Sequence, residues 1–233
     1  TMKGAQAILE TLRRGGVELI FANPGTSEMA LVRALDEVPG VRAVLGLFEG
    51  VVTGAADGYA RMAGRPAATL LHLGPGLANG CANLHNARRA RTPIVNLVGD
   101  HARDHLALDA PLTTDVGAVA GPFSCWTQRI DRPESAGALT AAALGAARAF
   151  GGPATLVVPA DVAWSAGAAP LDPPPPPGLA APVAARLAAA RAALVHHGAR
   201  ALLLLGGRRC RGPRSSPRRA WRRRPARRSR ARP

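Results

Sequence analysis

The chain has 233 residues, 47% of them hydrophobic, and no run of 18 apolar residues, which allows a sizeable core and excludes a membrane-spanning helix. Its net charge of +15 is misleading: 13 of the 30 basic residues are arginines in the acid-free stretch 208–232, and the remaining 17 face all 15 acids. The three cysteines, Cys81, Cys125 and Cys210, are too widely spaced for a zinc site or a disulfide framework, and fit a reducing cytoplasm.

The opening segment has no apolar stretch of the signal-peptide kind. "GAQAILETLRRGG" places Ile8, Leu9 and Leu12 on one helical face and stops on glycines. "VELIFANPG" reads as a short strand running into a turn. "TSEMALVRALDEV" reads as a helix, with Thr26 and Ser27 as candidate N-caps and Met29, Val32 and Leu35 at helical spacing. "VRAVLGLFE" is another strand, and "GVVTGAADGYARMAG" a helix rich in small residues. "AATLLHLGPG" predicts a strand and a turn, and "LANGCANLHNARRAR" a helix. "PIVNLVGD" is a continuous apolar run, as expected of a strand covered on both faces. A polar, irregular stretch fills residues 100–121. "FSCWTQRI" suggests a short strand, "PESAGALTAAALGAARAFG" a helix, and "PATLVVPAD" a further strand.

This alternation predicts an α/β fold, a parallel sheet with helices on both faces, over residues 1–164. Residues 165–181 read as a proline-rich linker, because the five consecutive prolines 173–177 favour polyproline II and cannot enter a helix or a central strand. Residues 182–207 contain one helix pattern, "PVAARLAAARAALVHHG", and one strand pattern, "ARALLLLGG". They read as the start of a second α/β domain, too small to bury a core alone. Residues 208–233 read as a disordered Arg/Pro-rich tail.

Ligands of parallel sheets bind beyond the carboxyl ends of the strands. Those ends read "FANPGT", "LFEG", "LHLGPG" and "LVGDH", so Asn23, Glu49, His72 and Asp100 should gather along one sheet edge. Glycines in the turns let a ligand approach the backbone. Glu49 stands between an apolar run and a string of small residues. It is either a functional carboxyl or an acid in the first turn of the helix that follows.

"NPGTSE", "FEGVVTGAADGYAR" and "GPGLANG", in this order and spacing, closely resemble the pyrimidine-binding domain of thiamine-diphosphate enzymes, in the acetolactate synthase and benzoylformate decarboxylase branch. The resemblance covers about residues 3–164. It implies that Glu49 hydrogen-bonds N1′ of the cofactor's aminopyrimidine and thereby activates C2 of the thiazolium. A carboxyl with apolar neighbours is costly to ionise, which suits it to sharing a proton with a ring nitrogen. The resemblance also implies that Pro24, Gly25, Pro75, Gly76 and Asn79, with Gly74, form the turns around the pyrimidine. It places His72 where decarboxylases of this branch carry a histidine acting on substrate protons, and Thr26 where they carry a serine contacting the substrate carboxylate. Acetolactate synthases have His-Glu-Gln around the glutamate. Phe48-Glu49-Gly50 here leans towards the decarboxylases. The implied substrate is a 2-oxo acid, and the implied assembly a homo-dimer or tetramer.

The family holds its diphosphate through Mg2+, with a Gly-Asp-Gly run and a downstream asparagine in a later domain. The sequence has no Gly-Asp-Gly, so the magnesium site is expected to be absent here and the fragment inactive by itself. The tail has the composition of a GC-rich gene read in a shifted frame. The alternatives are a non-catalytic binding module, either the cofactor-half partner of a split enzyme or a non-specific nucleic-acid binder acting through its arginines.

Overall fold

The computed structural model describes residues 1–178, 181 and 183–202. The chain divides into two units, residues 1–177 and 178–233. Among the described residues no helix is long and apolar enough to cross a membrane.

The first unit opens with strand β1 (Met2–Lys3) and helix α1 (Gly4–Arg14), followed by β2 (Leu19–Asn23), α2 (Met29–Glu37), β3 (Arg42–Leu45) and α3 (Glu49–Ala63). It continues with β4 (Ala67–His72), α4 (Leu73–Arg89), β5 (Ile94–Asp100), α5 (Val116–Ala120) and β6 (Trp126–Arg129). It closes with α6 (Ala136–Ala146), β7 (Pro153–Pro159), α7 (Ala160–Trp164) and β8 (Ala166–Ala168). Six strands form one sheet in the order β3-β2-β4-β5-β7-β6, and every pairing is parallel. The helices lie on both faces, as the alternating pattern predicts.

The two faces can be read from single strands. On β5, Val95 and Leu97 join the core formed with α1, α2 and α6, while Ile94 and Val98 face the clusters of α3 and α4. Both sets are fully buried, which explains why "PIVNLVGD" has no alternation of apolar and polar residues. Asn96 shares the second face, and its polarity is used. Thr69 Oγ1 donates to Asn96 Oδ1 at 2.9 Å, and Asn96 Nδ2 donates to Thr155 Oγ1 at 3.0 Å. Ser124 Oγ adds a bond of 2.7 Å to Thr155 Oγ1. Thr69, Asn96 and Thr155 are register partners on β4, β5 and β7, so a short polar ladder crosses the sheet under α3 and α4.

Helices α3 and α4 pack backbone to backbone because their contact residues are small. A Cβ on Gly80 would come within 2.8 Å of the Thr53 side chain. In the space left open, Thr53 Oγ1 donates to the Gly80 carbonyl at 3.1 Å, and Asn83 Nδ2 to the Gly50 carbonyl at 2.7 Å. The small-residue helix is therefore a packing device, and it brings the start of α3 against the start of α4.

Several local expectations are corrected. "VRAVLGLFE" is not one strand: β3 ends at Leu45, and Glu49 is the first residue of α3. Thr26 and Ser27 cap nothing with their side chains. A 3₁₀ turn, Thr26–Glu28, precedes α2, and the Gly25 N–H donates to the Glu28 carboxylate instead. The "LGPG" turn is the first turn of α4 itself. The stretch 100–121 contains the short α5, and the stretch after β7 contains α7 and β8, which pairs antiparallel with β1. Leu171 N–H donates to Thr11 Oγ1 at 3.1 Å, and Arg148 to the Pro174 carbonyl at 3.3 Å, so the start of the proline-rich stretch lies against α1 and α6.

In the second unit, helix α8 (Ala184–His197) is followed by a 3₁₀ turn, Gly198–Arg200, where the strand pattern begins. No residue of α8 is buried. The rest of the predicted strand, Cys210 and the arginine-rich tail lie outside the described residues.

Candidate active site

Because the sheet is parallel, β2, β4 and β5 all end at one edge, with Asn23, His72 and Asp100 as their last residues. Leu73, directly after His72, has φ of +54° although it is not a glycine. Such a residue is strained by about 1 kcal/mol. It turns the chain sharply from β4 into α4 and leaves His72 at the sheet edge.

Glu49 begins α3 beside this turn and is 8% exposed. Asn79 Nδ2, from the second turn of α4, donates to Glu49 Oε2 at 3.0 Å. Glu49 Oε1 faces Gly76: a Cβ there would lie 3.0 Å from Oε1 and 3.4 Å from the His72 Cβ. Gly76 thus keeps open a gap between glutamate and histidine. Around Glu49, Leu47, Phe48 and Val51 form an exposed apolar rim.

His72 is held from the other side. Gly25 packs flat on the imidazole, and a Cβ there would sit 2.4 Å from the ring. Nδ1 of His72 lies 2.8 Å from Glu28 Oε2, which also accepts the Gly25 N–H at 2.7 Å. Glu28 is 0% exposed, and its Oε1 has no hydrogen-bond partner. Burial pushes its carboxyl up, against the opposing pull of the Gly25 N–H and of His72.

The edge therefore gathers Gly25, Glu49, His72, Gly76 and Asn79, five of the residues predicted from the sequence. The others are placed differently. Pro24 is half-buried, and Pro75 and Thr26 are exposed, with no side-chain bond from Thr26. Gly74 packs against the Thr114 side chain. Asp100 accepts from Arg129 at 2.5 Å and from the His101 N–H at 2.8 Å, so it belongs to a neighbouring pair. Among the described residues no group of three or more His, Cys, Asp or Glu side chains could hold a metal ion.

Glu28 is the residue that sequence reasoning missed. It looks like a surface acid at the start of a helix. The available signal was its spacing, three residues after Gly25 in "NPGTSE", which lets the carboxylate reach back to the glycine N–H.

Residues 2–119 match the model of the thiamine pyrophosphate enzyme, N-terminal TPP binding domain. The chain belongs to this family. Among its relatives is a Mycobacterium tuberculosis chain whose name marks it as a candidate acetolactate synthase large subunit, IlvX. It is 62% identical over 167 residues, covering 72% of this chain and 32% of that one. Benzoylformate decarboxylase of Pseudomonas aeruginosa is 38% identical over 122 residues, 52% of this chain and 23% of the other. The structure of a thiamine diphosphate-dependent 4-hydroxybenzoylformate decarboxylase from Rhodococcus jostii superposes with a TM-score of 0.67 at 29% identity, covering 72% of this chain and 32% of that chain. The chain thus spans a third or less of the length of these relatives. Thiamine diphosphate is the family's cofactor, and the six-stranded parallel domain is its pyrimidine-binding domain.

Proposed function

We propose that this chain supplies the pyrimidine half of the active site of a thiamine-diphosphate enzyme acting on 2-oxo acids. The single observation that carries the reading is the state of Glu49. It is a buried carboxyl with one oxygen fixed by Asn79 and the other facing the bare Gly76, which His72 also approaches. A helix-terminal acid needs no such gap. The cleft suits a flat ring. Gly25 and Gly76 bring backbone close, and the apolar rim of Leu47 and Phe48 can cover ring faces.

In this reading Glu49 Oε1 meets N1′ and shares a proton with it, while Pro24, Gly25, Gly76 and Asn79 hold the ring in place. When bound, the cofactor supplies a carbon nucleophile and an electron sink for cleaving bonds next to a carbonyl. His72 gives or takes a proton at the substrate, and exposed Thr26 meets the substrate carboxylate. Diphosphate and Mg2+ are held by residues that are not among those described here. The complete enzyme works as a homo-oligomer in the cytoplasm. Phe48 and Gly50 beside Glu49 favour decarboxylation over acetolactate synthesis.

The test is an NMR titration of the 233-residue chain with 4-amino-5-hydroxymethyl-2-methylpyrimidine, the bare ring. The amide signals of Gly25, Glu49, Gly76 and Asn79 should shift at millimolar concentrations. Thiamine diphosphate should bind about as weakly, with or without Mg2+, because the sequence has no Gly-Asp-Gly run to build charge-assisted diphosphate contacts. Unmoved signals at these four residues would remove the pyrimidine site. Micromolar, magnesium-dependent binding would place the diphosphate site in this chain.

A further inference from the structure

Glu28 has no part in the reading above, yet few groups of the fold are so firmly placed. Its carboxylate is fully buried and contacts His72 directly. Gly99 of β5 makes room for it: a Cβ there would lie 1.7 Å from Oε1. A bare glycine on a central strand is destabilising by itself, so the space it leaves for a carboxyl oxygen has a structural cost.

The hydrogen bonds around Oε2 constrain the proton positions. The Gly25 N–H can only donate, so Oε2 is an acceptor towards it. The same oxygen lies 2.8 Å from His72 Nδ1. An oxygen already accepting one N–H is best placed to accept a second. A proton on Oε1 would be a buried donor without an acceptor, so a protonated Glu28 would carry it on Oε2 and donate to Nδ1. While Glu28 is ionised both its oxygens can only accept, so Nδ1 carries the hydrogen.

We propose that Glu28 is a positioning residue that holds His72 in its Nδ1–H tautomer and leaves Nε2 as the nitrogen that exchanges protons with the substrate. That the proton exchanged at Nε2 is the substrate's rests on the functional reading above; the tautomer itself does not. The imidazole is 23% exposed, and Gly25 covers one face, so the ring can offer only one nitrogen to the cleft. A neutral ring with bare Nε2 takes a proton there, and the imidazolium returns the same proton from the same atom. Nδ1–H stays bonded to Glu28 throughout, and the ring need not rotate between the two steps. The other ionisable groups on the surrounding elements are Glu49 of α3, which is turned to Asn79 and Gly76, and Asp100 of β5, which is paired with Arg129 of β6. On α2, Arg33 is bonded to Glu37, and Asp36 lies near them in sequence. None of these bonds to the histidine, so Glu28 sets the tautomer.

The test reads the ring nitrogens of His72 directly, by 15N-detected long-range NMR on the full 233-residue chain without cofactor, at an alkaline pH where the Glu28 carboxyl is ionised. His72→Gln identifies the signal by removing it. Wild type should show bare Nε2 and protonated Nδ1. Glu28→Met removes the acceptor, and the ring should revert to the Nε2–H form preferred by free histidine. The tautomer ratio should change by about tenfold, the worth of one net hydrogen bond. Glu28→Gln keeps an acceptor oxygen and should retain Nδ1–H. A purely structural Glu28 would move neither variant's tautomer. Protonated Nε2 in wild type, or Nδ1–H surviving in Glu28→Met, would overturn the proposal. If the methionine variant does not fold, wild type and Glu28→Gln still decide: Nε2–H in either refutes it. A His72 tautomer that follows Glu28 while the pyrimidine leaves Gly76 unshifted would sink the functional reading and keep the dyad.

Discussion

Glu49→Gln should slow exchange of the cofactor's C2 proton by about 10² to 10⁴-fold, the range typical of a general acid–base group. The measurement needs an enzyme that joins this domain to a diphosphate-binding half, with exchange into deuterium followed by NMR. Glutamine keeps the shape, and its carbonyl oxygen can still accept from Asn79, which now bonds Glu49 Oε2 at 3.0 Å. The atom facing the gap at Gly76 becomes an amide that cannot share a proton with N1′. Cofactor affinity should fall much less than the exchange rate, because the diphosphate contacts are untouched. Glu49 is also the first residue of α3, so its charge interacts with the helix dipole. If that were its only role, the substitution would cost about 1 kcal/mol of stability or less and leave exchange intact. The two roles predict different observables, and unchanged exchange with bound cofactor would take Glu49 out of the chemistry.

The parts of this site that were legible in the sequence are those where a local pattern and a long-range position coincide. Apolar runs ending in polar residues gave β2, β4 and β5, and their parallel pairing puts Asn23 and His72 at one edge. Gly25 and Gly76 were legible through the resemblance of "NPGTSE" and "GPGLANG" to the family's turns, since a glycine after a strand equally suits an ordinary turn. Glu28 was hidden because its burial comes from Gly99 and His72, which are distant in sequence. The end of β3 was misplaced because "LGLFE" continues an apolar run, although the sheet needs only the four residues that pair with β2. The exposure of Leu47 and Phe48 could not be read from a hydrophobic pattern, which normally signals burial. Asp100 reached the correct edge and then turned to Arg129, a pairing across β5, β7 and β6 that no local pattern encodes.

Asn96→Asp should make the stability of the domain strongly pH-dependent. Asn96 is 0% exposed and bonded to Thr69 and Thr155, both equally buried. Thr155 can reverse its hydroxyl and donate to a carboxylate, while Ser124 donates to Thr155 in turn. The hydrogen bonds would survive, but an ionised aspartate would have no cation within the ladder. Desolvation raises a buried carboxyl by several units, and a shift of about 3 units corresponds to about 4 kcal/mol. A pKa raised in the folded state means that the folded form binds more protons than the unfolded one. Stability is then retained below the unfolded value of about 4 and lost as pH rises towards the folded value, by up to about 1.4 kcal/mol per unit. Urea unfolding from pH 4 to pH 8 measures this as a widening gap between wild type and variant. Asn96→Leu removes the bonds to Thr69 and Thr155 without introducing a charge, so its deficit should stay constant with pH. A flat difference for Asn96→Asp would mean that water or a cation reaches the ladder. The position matters for the site because Asn96 fixes the register of β4, β5 and β7. A slip of one residue would reverse the faces of β4 and β5, turning His72 from Glu28 and Gly99 from the carboxyl it accommodates.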